Sequence, residues 1–131
     1  MNTLSATITA TASSEHLSIL TVAVGEDNFH LLLVEQCRES IGETLKLVFK
    51  ETEVILSNLS IPTTANTHSA IVQRIERGVV LSQITLLYHT FTLTALVPTL
   101  TFEPLDIAEG DTVNWMVQPS EISLLRETHG I

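Results

Sequence analysis

The chain repeats itself, and this limits its possible folds more than its composition does. Asn2, Ser5-Ala6, Leu17-Ser18 and Thr21 recur as Asn66, Ser69-Ala70, Leu81-Ser82 and Thr85, each 64 residues further on. The stretch GETLKLVFKETEVILS (Gly42 to Ser57) recurs as GDTVNWMVQPSEISLL (Gly110 to Leu125), 68 residues further on. The difference, 68 − 64 = 4 residues, falls where QCRESI faces the longer TLTFEPLDIAE. A length change belongs in a loop or short helix, because an odd slip inside a paired strand would reverse its faces. The chain therefore divides into two copies of one unit, residues 1–60 and 61–131, joined by small polar residues around Pro62.

Each copy reads as strands. Ser18 to Val24 and Gln83 to Leu87 are rich in β-branched residues, and Phe29 to Val34 and Phe91 to Val97 follow as apolar runs. Glu26-Asp27-Asn28 and Tyr88-His89-Thr90 suit the turns between them. Pro98 ends the second run by removing a backbone donor. A short helical or irregular piece follows (Glu35 to Ile41; Thr99 to Ala108), then a turn at Gly42 or Gly110. The last strand, Thr44 to Ser57 or Thr112 to Leu124, is expected to break in the middle. About five strands and one helical turn in a unit this small predict an all-β fold of two tandem OB-like barrels, each with a short helix. Barrels of that size are marginal alone, so mutual packing and homo-oligomerisation are expected.

Charge narrows the partners. Fifteen acidic residues against six basic ones give a net charge of −9, which argues against a nucleic-acid phosphate backbone. The opening MNTLSATITATASSE lacks the basic start and apolar core of a signal peptide, and no apolar run is long enough to span a bilayer. A single cysteine, Cys37, cannot form an internal disulfide and fits a reducing compartment, so the expected location is cytoplasmic. Its soft side chain suits a small buried or half-buried position.

With the repeat in place, the chain resembles the di-Mop proteins, which carry two tandem molybdate-binding Mop (TOBE-type) domains. Asn2-Thr3-Leu4-Ser5-Ala6 and Asn66-Thr67-His68-Ser69-Ala70 match the opening of each family unit. Ala95-Leu96-Val97 matches the approach to its middle motif, and Gly42 to Val54 and Gly110 to Ile122 match its end without a gap. The resemblance implies OB-like barrels assembled as trimers or hexamers. It also implies binding of molybdate or tungstate between subunits, for intracellular storage or buffering. A repressor role also needs a DNA-binding helix-turn-helix and is disfavoured, since none precedes Asn2.

A tetrahedral dianion needs inward-pointing donors: backbone N–H groups, hydroxyls and one or two cations. Charge-assisted bonds from Lys or Arg are about twice as strong as neutral ones. The resemblance puts Lys50 and Thr52, with the backbone N–H groups of Glu51 and Thr52, on the oxyanion. In the second copy Ser120 keeps the hydroxyl, but Gln118 replaces the lysine and Pro119 removes a backbone donor. The family's Ser-Ala-Arg before Asn66 reads Thr63-Thr64-Ala65, which keeps a hydroxyl and loses the cation. Its mid-chain threonine is Pro98 in the second copy and Val34 or Glu35 in the first. The expected shell is thus composite: Lys50, Glu51 and Thr52 from one copy, with Thr63, Ala65, Asn66 and Ser120 from another. The competing account makes Lys50 a solvated strand-end cation beside Glu51 and Glu53, and the protein a ligand-free oligomeric scaffold or regulatory module.

Other chemistry is poorly supported. None of the five histidines (His16, His30, His68, His89, His129) has the short spacing of a metal-ligand pair, so turn or surface positions are expected. No phosphate loop, nucleophile elbow or Cys/His pair occurs, and neither an enzyme nor an organic cofactor is expected. Trp115 stands where the first copy has Leu47, as a core or subunit-interface anchor.

Overall fold

A computed structural model describes residues 1–58 and 66–125. The first half of the chain forms β1 (Asn2–Ser14), β2 (Leu17–Val24), β3 (Asp27–Leu33), β4 (Thr44–Phe49) and β5 (Ile55–Ser57). The second forms β6 (Thr67–Glu76), β7 (Leu81–Tyr88), β8 (Phe91–Pro98), β9 (Thr112–Met116) and β10 (Ser123–Leu125). The long final strand of each copy is indeed broken, by 3-10 turns at Glu51–Glu53 and Pro119–Glu121. A helical turn, α1 (Thr99–Phe102), arises in the longer connection of the second half, whereas Glu35–Ile41 has no regular structure. The fold is the mostly-β, OB-like one expected.

Alternation of apolar and polar residues sets the faces. Leu4, Ala6 and Ile8 on β1, Leu20, Val22 and Val24 on β2, and Leu45, Leu47 and Phe49 on β4 are all buried, with their neighbours turned outward. The second half repeats this with Ala70 and Val72, Ile84 and Leu86, and Val113 and Trp115. One connected apolar core results, shared by both halves. Both long strands carry a bulge at equivalent places, between Ile8 and Ala10 and between Val72 and Arg74. Bulges sharpen local bend and twist, which curls each sheet.

The two sheets run β10-β4-β1-β2-β3 and β5-β9-β6-β7-β8. Each therefore takes its outermost short strand from the other half. In the first, Ser123, Leu124 and Leu125 face Val48, Leu47 and Lys46; in the second, Ile55, Leu56 and Ser57 face Met116, Trp115 and Asn114. Three ladder positions hold little by themselves. The buried residues Val54, Leu56 and Ile122 anchor the crossings in the shared core, at about 1.5–3 kcal/mol for a fully buried aliphatic side chain. Both sheets thus draw strands from either side of residue 60. Among the described residues, no helix is long and apolar enough to cross a membrane.

Candidate functional site

The Lys50 turn is built by what flanks it. Phe49 and Val54 are buried, so the chain between them must loop outward and return. Lys50 is extended (φ −77°, ψ 152°), and the Glu53 N–H then donates to the Lys50 carbonyl at 3.0 Å. Lys50 and Thr52 are left exposed, while Glu51 and Glu53 are half-buried. No ion pair engages Lys50 among the described residues. The first N–H groups of so short a turn have no partner within it. That of Glu51 is turned to its own carboxylate, which also accepts from the Met1 amino group. The bond from that amino group, and then the one from its own N–H, holds the Glu51 carboxyl below the usual range. The turn packs against β8, and Thr52 lines a cleft of about 400 Å³ with Val54, Leu96, Pro98, Thr101 and Phe102.

The second copy reproduces the backbone and changes the chemistry. Val117 and Ile122 are buried on either side, Gln118 is extended (φ −67°, ψ 143°), and the Glu121 N–H donates to the Gln118 carbonyl at 2.9 Å. Ser120 is exposed on this turn, which packs against β3. The arrangement offers a hydroxyl and an amide but neither a cation nor the donor that Pro119 lacks.

Asn66 does not present its side chain to a ligand. It is buried, and its amide donates to the carbonyls of His30 (2.9 Å) and Val117 (3.0 Å) while its Oδ1 accepts from the His30 N–H (2.6 Å). This side chain is thus bonded to the outer edge of β3, so an oxyanion contact from Asn66 would have to come from its backbone. Within one chain, then, Lys50, Glu51 and Thr52 come together on one turn beside β8. Asn66 and Ser120 fall together at the pseudo-equivalent turn beside β3. Thr63 and Ala65 lie outside the described residues. The sequence reading missed the matching role of Asn2, whose signal was the 64-residue spacing to Asn66 at the start of a strand.

Among the described residues no group of three or more His, Cys, Asp or Glu side chains is placed to hold a metal ion. Cys37 is half-buried, as its type suggested. Trp115 is fully buried, stacked on Phe49 at 5.9 Å between ring centroids.

No family model and no curated protein sequence matches the chain. Its structure is similar to a crystal structure of the cytoplasmic molybdate-binding protein ModG in a form with molybdate bound. The TM-score is 0.86 at 18% sequence identity, over 94% of each chain. At that identity the likeness establishes the fold.

Proposed function

We propose that the protein binds a tetrahedral oxyanion, molybdate or tungstate, and stores or buffers it in the cytoplasm. The observation that carries this reading is the exposed Lys50 beside the Thr52 hydroxyl, on a turn of a fold shared with a molybdate-binding protein. We read the chain as two tandem Mop-type units and as a binding protein rather than an enzyme. Lys50 supplies the charge and Thr52 its hydroxyl and backbone N–H; the Glu51 N–H joins them only on leaving its own carboxylate. Ser120, the backbone of Asn66 and the Thr63 to Ala65 segment come from another subunit of a homo-oligomer, a trimer by resemblance. Calorimetric titration with molybdate, tungstate, sulfate and phosphate tests the reading. Losing a charged donor costs about 1.5–3 kcal/mol, roughly ten- to hundredfold in affinity. Lys50→Gln should weaken molybdate and tungstate by that order, and Gln118→Ala much less. Unchanged affinity in Lys50→Gln removes this site.

The Gln118-Pro119 turn and the carboxylate of Glu51 beside Lys50 favour a second reading, an oligomeric scaffold or regulatory module that no longer takes a ligand. Absence of binding to all four anions, in the unmodified protein, would favour it over the first.

A further inference from the structure

The β2–β3 turn and the β7–β8 turn occupy equivalent places 64 residues apart, and they meet. Asp27 Oδ2 accepts from the Tyr88 hydroxyl at 2.5 Å and lies 3.0 Å from His89 Nε2. The His89 ring lies over Gly25, where an added Cβ would sit 3.4 Å from its Cε1. Beneath them His68, on β6, packs its ring 4.3 Å from Phe29 between centroids and 6.1 Å from Trp115. Its Nδ1 faces the same Asp27 Oδ2 at 3.6 Å.

The hydrogen on His68 can be placed from its partners. Nε2 lies 3.0 Å from the Asn28 carbonyl, which only accepts, so Nε2 carries the hydrogen. In neutral His68, Nδ1 is then a bare lone pair turned toward a carboxylate. A proton arriving there turns that opposition into a charge-assisted bond. Asp27 Oδ2 already holds two donors, however, and a third must turn the carboxylate or displace one of them. His89 is the weaker-held of the two: its φ of 52° is strained for a non-glycine residue, and its side chain is 41% exposed.

We propose that His68 is the proton-sensing residue of a joint between the two halves, in which a proton taken up on Nδ1 makes it compete with His89 and Tyr88 for Asp27. The proton comes from solvent, which reaches a side chain that is 12% exposed. Burial holds the His68 imidazole below its ordinary value, against the pull of the Asp27 charge and the Asn28 carbonyl, while the charge of His89 adds to the effect. The joint therefore stays closed at neutral pH and responds only below the ordinary imidazole range. This inference goes beyond oxyanion binding and does not depend on it.

Nuclear magnetic resonance of the unmodified protein tests it, from pH 8 to pH 4. Imidazole nitrogen shifts should show the Nε2–H tautomer at high pH and a His68 midpoint below about 6.5. The amides of Asn28 and Thr90 should move with the same midpoint. Fluorescence of Trp115, the sole tryptophan, should fall with it as the neighbouring imidazole gains charge, and His68→Gln should abolish that step. An Nδ1–H tautomer, a His68 that stays neutral down to pH 4, or turn amides that remain still while His68 titrates would each overturn the joint. If His68→Gln does not fold, the measurements on the unmodified protein still decide.

Discussion

Asn2 and Thr94 form a closed pair: the Asn2 amide donates to the Thr94 carbonyl at 2.8 Å, and the Thr94 N–H donates to Asn2 Oδ1 at 2.8 Å. A side-chain amide thus pairs with the outer edge of β8 as a neighbouring strand would. Asn66 and His30 repeat the arrangement on β3, 64 residues away on both sides. Because 2 and 94 belong to opposite halves, each half uses an asparagine to cover the exposed strand edge of the other.

Asn66→Ala should destabilise more than Asn2→Ala. Either change leaves edge backbone groups without partners, at about 1–3 kcal/mol. Asn66 has the further bond to Val117 and sits at φ 63°, where alanine adds about 1–2 kcal/mol of strain. Urea unfolding of both variants checks the order, and equal losses would contradict it.

Gly42→Ala should cost more than Gly25→Ala. Both glycines have positive φ, but 61° at Gly25 lies within the small left-handed region an L-residue can adopt, and 96° at Gly42 lies beyond it. At Gly25 the new methyl would also rest on the His89 ring at 3.4 Å, whereas at Gly42 nothing lies within 4 Å. Thermal unfolding midpoints measure the difference, and it should shrink in a His89→Ala background.

Acid should weaken the fold in two stages. Burial alone would raise the Asp27 pKa, but bonds from Tyr88 and His89 and the charges of His68 and His89 outweigh it and hold the carboxyl below its usual value of 3.8. A depressed folded pKa gives stability that is present above the unfolded value and lost as pH falls through the folded one. His68, also depressed, loses its share first, as pH drops below 6.5 toward its folded value. Asp27 loses its share below 3.8. The unfolding midpoint of Asp27→Asn should lie below that of the unmodified protein at pH 7 and converge on it in strong acid.

Neither half should fold alone. Residues 1–58 lack β10 for the edge of β4, and residues 66–125 lack β5 for the edge of β9. Circular dichroism of each fragment should show little β-structure, and mixing the two should restore it. A well-folded single fragment would show that the crossing strands are dispensable.

The strands were legible because alternation is local: Leu17–Val24 and Leu81–Tyr88 each declare which face is apolar. A break in the middle of the last run was expected, and it falls at Glu51–Glu53. The exchange was not, since three residues such as Ile55-Leu56-Ser57 suit either sheet, and only the packing of Val54 and Leu56 decides. Lys50 and Thr52 were singled out through the resemblance and lie on one turn. Asn66 entered the expected shell through the resemblance; its bond to the edge of β3 was not legible, because that edge lies 36 residues away in sequence. The Asp27, His68, Tyr88 and His89 cluster was missed for the same reason: its partners are up to 62 residues apart, and no motif spans that distance.

The crossing strands also bear on how the two halves could become different. The same trade of β5 for β10 would close between two separate identical chains, each lending its last strand to the other. In such a pair every substitution strikes both copies at once, and Lys50 could not become glutamine on one side alone. Carried on one continuous chain, the halves mutate independently while each stays obliged to fit its neighbour's strand. The Lys50 and Gln118 pair is a difference that two identical chains could not carry. The traded strands hold the backbones alike, and the linked chain leaves their side chains free to diverge.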